Sequence, residues 1–267
     1  CAVAQKPMQE ELAERWSRDG LVVNGGSVTA ARANELAAPR YLDEWNVWYR
    51  TRRNDAVRTR PGWPVAPEIL EEIYDMEDAL AFGGAVISLL NHADRVRCAC
   101  LAQLVNAIAP IMTETGGPAW RQTIFFPFAD MSAHGRGHVL AGKVTSPTYD
   151  AMYYDPRNAQ DLYYPAENVP YLKTASVYDP DRCTLTIFAL NRHLTEEMQL
   201  DVTARSFGGL TLEDAHELHD ADLKAINSRD EPGRIDRKAL DGVTGQGDAI
   251  SATLKPLSWN VIRLAEQ

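Results

Sequence analysis

Helical periodicity stops at one place in this chain. Ahead of His134, apolar residues recur at three- and four-residue steps over long stretches; beyond it, only short alternating runs cut by Pro, Gly and Asp remain. A chain with that break divides into a first part mixing strand and helix and a second, antiparallel β part. The boundary falls near residues 133–137, giving units of residues 1–134 and 135–267.

Within the first unit, LDEWNVWY (42–49) has the aromatic and β-branched content of a strand. A loop rich in Arg, Pro and Gly leads to a long helical pattern from Glu68 to about His92, with Ile69, Leu70, Ile73, Met76, Leu80, Val86 and Leu90 on its steps. RVRCACLAQL then reads as a buried strand, and a further helix is expected around Trp120 to Met131. Strand, helix, strand, helix indicates a parallel α/β sheet or barrel. Gly83 and Gly84 sit inside the long helix, where they permit close packing against the sheet. The first 40 residues hold one helical pattern, Met8 to Ser17, and are otherwise uninformative.

In the second unit, GHVLAGKVTSPTY, LKTASVYDPDRCTLTIFALN, MQLDVTARSF and DAISATLKPLSWNVIRL are strand-like, with Asp179-Pro180-Asp181 a turn between two strands. An antiparallel sandwich or barrel follows.

Charge and cysteine usage narrow the function classes. A net charge of -10 repels nucleic acid, since no basic face is evident. No run of 18 apolar residues occurs and the first residues lack signal-peptide order, so a soluble, cytoplasmic protein without membrane contact is expected. Cysteines at 1, 98, 100 and 183 form neither a CxxC pair nor a disulfide framework; reduced thiols are expected, with Cys98 and Cys100 buried in their strand. His216 and His219, like His134 and His138, lack the remaining ligands of a metal site and read as surface-loop residues. No metal or cofactor is expected.

The segment YLDEWNVWY (41–49) places Glu44 among Trp45, Trp48 and Tyr49, ahead of a long loop. Catalytic groups of a parallel barrel stand at the C-terminal strand ends, and aromatic faces beside a carboxylate suit a sugar. The competing reading is a paired structural carboxylate. Asp43 points to the opposite side of a regular strand and reads as a supporting carboxylate; Asn46 shares the face of Glu44 as a loop-fixing amide.

DEWNVWY at 43–49 resembles the nucleophile motif of the α-L-arabinofuranosidases of glycoside hydrolase family 51. Also similar are EDALAFGGAVISLLNHADRVRCACLAQLVNAIAPIMTE (77–114), GGPAWRQTIFFPF (116–128) and SWNVIRL (258–264), in the family's order. The resemblance implies the C-terminal part of a (β/α)8 TIM barrel followed by an antiparallel, jelly-roll-like β-sandwich. It implies a retaining, exo-acting glycosidase in which Glu44 is the nucleophile, while Trp48 and Gln103 line the subsite for a terminal arabinofuranose. The partners implied are arabinose-containing oligosaccharides or polysaccharides and a homo-oligomer.

The sequence departs from that family in one decisive respect. The family's acid/base lies in a Gly-Asn-Glu motif on an earlier barrel strand, and no Gly-Asn-Glu occurs here. The barrel strands ahead of Glu44 are missing too, so a companion chain or missing segment must complete the site. The alternative is a noncatalytic fragment, or a β-sandwich module for carbohydrate binding or oligomerisation. Activity on glucans or xylans is a further variant on the same scaffold.

Overall fold

The computed structural model describes residues 22–23, 26–27, 40–47, 71–154, 163–205 and 207–266. The expected helix at Met8 to Ser17, residue Trp48 and the start of the expected long helix lie outside them. Strands β1 (Val22–Val23) and β2 (Gly26–Ser27) pair antiparallel. Strand β3 (Arg40–Trp45), helix α1 (Met76–Asn91) and strand β4 (Val96–Leu101) form a parallel βαβ unit, with Tyr41 opposite Cys98 and Trp45 opposite Leu101. Among the described residues, β3 and β4 pair only with each other.

Helix α1 starts later than periodicity suggested, because Asp75 caps it. Its backbone is extended and its side-chain oxygen accepts the Asp78 N–H at 3.0 Å, while the Asp78 carboxylate accepts the Asp75 N–H in return. This reciprocal arrangement satisfies two donors that a helix leaves open, so residues 71–75 stay non-helical. Glu77 and Asp78 in the first turn complement the helix dipole. The helix is buried nearly all round, as expected of one held between other layers.

A hairpin of β5 (Ile111–Thr113) and β6 (Ala119–Arg121) precedes helix α2 (Phe125–His134). The second helix thus begins past Trp120, which sits in β6 opposite Met112 rather than in a helix. Pro127 is tolerated within its first turn, where its missing N–H costs nothing.

The remaining strands are β7 (His138–Leu140), β8 (Thr148–Tyr154), β9 (Tyr163–Pro170), β10 (Leu172–Asp179), β11 (Thr184–Asn191), β12 (Met198–Thr203), β13 (Leu210–Leu218), β14 (Lys238–Ala239), β15 (Thr244–Gln246), β16 (Ala249–Leu254) and β17 (Ser258–Glu266). All of their pairings are antiparallel. Six run in the order β14-β13-β17-β11-β10-β7, three in the order β12-β16-β15, and β8 and β9 form a separate hairpin. The turn at Asp179-Pro180-Asp181 joins β10 to β11, with Asp179 accepting the Asp181 N–H at 3.0 Å.

Alternation along the central strands explains the layering. Leu185, Ile187, Ala189, Ile262 and Leu264 face the three-stranded sheet, where Leu200, Ile250, Ala252 and Leu254 meet them. Phe188, Leu190, Trp259 and Val261 point the other way, into a core shared with α1 and α2. Every residue of β11 is buried, because both of its faces and both of its edges are covered. The expected close packing of Gly83 is found: a β-carbon there would lie 2.6 Å from Cε3 of Trp259.

Candidate active site

The βαβ unit delivers two of the predicted site positions, 44 and 103, to one end. Glu44 lies one residue before the C-terminal end of β3, its side chain being outside the described residues. Gln103 follows β4 by two residues, and the ladder continues toward it through the Ala102 N–H, which donates to the Trp45 carbonyl at 2.9 Å. The backbone positions of Glu44 and Gln103 thus stand at the same ends of adjacent parallel strands, where side chains of a barrel converge. Trp45 turns to the helix side, stacking on Phe82 of α1 with ring centroids 4.7 Å apart. The side chains of Leu42 and Asp43 and all of Trp48 lie outside the described residues.

Asn46 fastens this end. Its side-chain NH2 donates to the carbonyls of Ile108 and Ala102, and its oxygen accepts the Val47 N–H at 2.8 Å. The amide therefore ties the residue after β3 to the loop that carries Gln103, as a loop-fixing role requires. That loop holds three non-glycine residues with left-handed backbone: Gln103 (φ 66°), Asn106 (φ 68°) and Ile108 (φ 36°). Such conformations cost about 1–3 kcal/mol each and persist only where surroundings enforce them. Asn106 supplies one restraint, its side-chain oxygen accepting the Thr113 N–H at 2.7 Å and hydroxyl at 3.1 Å. Gln103 itself is exposed.

Gln122 was not anticipated and has a comparable duty. Wholly buried, it accepts the Tyr74 N–H at 3.0 Å and donates to the carbonyls of Glu72 (2.9 Å) and Ala109 (2.8 Å). It thereby joins the approach to α1 to the same loop. The available signal was a lone amide in the apolar text RQTIFFPF.

Two sequence expectations are corrected. Cys98 and Cys100 are exposed, not buried. Alternation turns Leu101 toward the core around α1 and the cysteines to the opposite face of β4. His216 is no surface-loop residue: it lies in β13, largely buried, with Nε2 3.1 Å from Asp130 and Nδ1 3.1 Å from Asp214. His134 ends α2, and His138 opens β7. The strand LTLEDAHEL went unread because its outward residues are charged.

Asp130 gathers three donors although it is almost inaccessible: Trp259 Nε1 at 2.8 Å, Arg237 at 2.6 Å and His216. Burial alone would lower the His216 pKa, but the hydrogen bond and charge of Asp130, helped by Asp214, outweigh it and raise it. The neighbouring His134 is pushed down, by burial first and by Arg263 second. This network braces α2 against the sheet. Among the described residues no group of three or more His, Cys, Asp or Glu side chains could hold a metal.

A family model described as the alpha-L-arabinofuranosidase C-terminal domain matches residues 43–258. The chain belongs to this family. Among its arabinofuranosidase relatives, the "Intracellular exo-alpha-(1->5)-L-arabinofuranosidase" of Halalkalibacterium halodurans is 45% identical over 243 residues, 90% of this chain and 45% of the relative. The "Exo-alpha-(1->6)-L-arabinofuranosidase" of Bifidobacterium longum is 37% identical over 97% of this chain and 49% of its own length. A solved family 51 α-L-arabinofuranosidase from Bifidobacterium longum superposes with a TM-score of 0.78 at 32% identity, covering 98% of this chain and 49% of that one. The fold is that of the C-terminal part of these arabinofuranosidases. The chain spans about half the length of the relatives it matches. No helix among the described residues is long and apolar enough to cross a membrane.

Proposed function

We propose that this chain is the C-terminal part of a retaining, exo-acting α-L-arabinofuranosidase that removes terminal arabinofuranosyl residues from arabinose-containing oligosaccharides and polysaccharides. The observation that carries the reading is the placement of Glu44 and Gln103 at matching ends of adjacent parallel strands, in a family whose relatives bear that activity in their names. Glu44 attacks the anomeric carbon, Trp48 stacks on the furanose ring and Gln103 bonds its hydroxyls. Asn46 and the left-handed loop keep Gln103 in position beside β3.

A retaining mechanism uses a second carboxyl group about 5 to 5.5 Å from the first, as acid and then as base. That group comes from outside these 267 residues, which contain no Gly-Asn-Glu. A companion segment completes the barrel over residues 1–134, residues 135–267 form the sandwich, and the assembled protein is a homo-oligomer. The setting is the cytoplasm, as the intracellular relatives suggest, and no cofactor takes part.

The test is hydrolysis of 4-nitrophenyl α-L-arabinofuranoside by the full-length enzyme and its Glu44→Gln variant, beside the corresponding glucoside and xyloside. Arabinofuranoside turnover lost in the variant, with both samples folded, is expected; full activity in the variant removes Glu44 from the chemistry. The second reading, a noncatalytic sandwich module, rests on the missing acid/base. Retention of the folded chain by immobilised arabinan, unaffected by Glu44→Gln and without hydrolysis by the full-length protein, would favour it.

A further inference from the structure

The β7 side of β10 is only partly paired. β7 covers β10 from Tyr178 to Ser176, with Ser176 opposite Leu140. Contact resumes at the start of β10, where the Leu172 N–H donates to the Ser146 hydroxyl at 2.9 Å and the Tyr171 N–H to the Pro147 carbonyl at 2.9 Å. Six residue steps, 140 to 146, therefore run beside four, 176 to 172, and the surplus bows the segment 141–145 away from the ladder. The bow leaves a cavity of about 440 Å³ between that segment, β10 and the end of α1.

The lining of this cavity is mixed. Alternation turns the N–H and C=O of Thr174 to this side, because Ser176, two residues on, pairs with β7 there. Asn91, the last residue of α1, donates its amide to the Thr174 carbonyl at 2.9 Å. Besides the Thr174 N–H, the cavity offers the Asn91 amide oxygen and the Asp94 carboxylate, while Leu90, Val139 and Val144 supply apolar wall. It lies where α1 packs on the sandwich rather than along β3 or β4, where further barrel strands would pair. Asp94 stands two residues before β4, so the cavity is at the opposite end of that strand from Gln103.

The geometry points to a binding site for a single neutral sugar unit. Apolar walls accept its C–H faces, the carboxylate and amide oxygen accept hydroxyl protons, and the Thr174 N–H donates to a sugar oxygen. No Lys, Arg or His side chain lines the cavity among the described residues, so an anionic or phosphorylated ligand finds no counter-charge. A simple cation would gain one carboxylate but leave the Thr174 N–H facing a positive charge. The volume is toward the lower end of small-molecule pockets, about 300–1,000 Å³, and suits one unit rather than a long chain. The choice of L-arabinose as that sugar rests on the arabinofuranosidase reading, in which it is the product. Once bound, it would bridge the interrupted ladder and join the end of α1 to the sheet.

The experiment follows backbone hydrogen exchange by mass spectrometry in the full-length enzyme while L-arabinose is titrated. Exchange in residues 139–146 and 172–177 is expected to slow. Asp94→Ala, a change at an exposed position that leaves the fold intact, should need about tenfold or more sugar for the same protection, as loss of a hydrogen bond to a charged group implies. Unchanged exchange in the wild type, equal protection in Asp94→Ala, or protection by methylammonium chloride at the same concentrations overturns the site. This readout does not depend on hydrolysis. Protection confined to residues 40–47 and 101–108 would support the arabinofuranosidase reading and refute this site; protection of β10 in a protein that leaves the arabinofuranoside intact would do the reverse.

Discussion

Asp130 accepts the indole N–H of Trp259 at 2.8 Å, joining the last helix to the last strand through two side chains that are both almost fully buried. Trp259→Phe keeps most of the ring and removes that donor, while Arg237 and His216 still serve the carboxylate. A loss of about 1.5–3 kcal/mol is expected, the worth of a hydrogen bond to a charged group. Asp130→Ala should cost more, about 3–5 kcal/mol, because it strands Arg237 and His216 beside an apolar core. Urea unfolding of the two variants measures the order; equal or smaller cost for Asp130→Ala would mean that the cations relax into solvent.

His216 makes this brace sensitive to pH. Its folded pKa is raised above the unfolded value of about 6.5, so its contribution is fully present below that pH and fades as pH rises through the folded value. His134 acts oppositely: its pKa is lowered on folding, so its contribution is present above about 6.5 and lost on acidification. The stability difference between wild type and His216→Gln should therefore shrink from pH 6 to pH 9, and that between wild type and His134→Gln should grow. Thermal unfolding across that range checks both signs.

Gly83 and Gly84 are neighbours with opposite expectations. At Gly83 an added methyl meets the Trp259 ring at 2.6 Å, an overlap that outweighs the gain of about 1 kcal/mol in helix propensity. At Gly84 it meets only Cδ2 of Leu190 at 3.3 Å, an atom at the end of a flexible side chain. Gly83→Ala should destabilise by about 1–3 kcal/mol. Gly84→Ala should be neutral or stabilising, and a comparable loss at both positions in chemical denaturation would contradict the packing described.

Asn46→Ala tests whether the loop matters to the sugar site. The substitution leaves the Ile108 and Ala102 carbonyls without this donor and frees a segment with three left-handed residues. In the full-length enzyme, kcat/KM for the arabinofuranoside should fall about tenfold or more, equivalent to about 1.4 kcal/mol of transition-state binding. Gln103→Ala should raise KM. Unchanged kinetics in both would detach this loop from substrate.

Much of this architecture was legible because periodicity and burial agree. The long helix, the strand RVRCACL and the turn at Asp179-Pro180-Asp181 appear where their patterns lie. Errors arose where a local cue was overruled. Asp75 takes the cap and excludes the apolar Ile73 from the helix, and Trp120 pairs across a hairpin that propensity does not mark. The cysteines looked buried because an apolar run does not say which of its faces is covered. Glu44 and Gln103 stood out through the family resemblance, whereas Gln122 and the Asp130 network depend on contacts far apart in sequence. His216, for example, lies 86 residues from its carboxylate.

The fit of the Trp259 indole over Gly83 also constrains how such chains diverge. A lineage that gains a side chain at 83 must first shrink the residue at 259, and one that keeps the tryptophan must keep the glycine. Positions 176 residues apart therefore change as a pair, and a chimaera that took the helix from one parent and the final strand from another would inherit a mismatch at their contact.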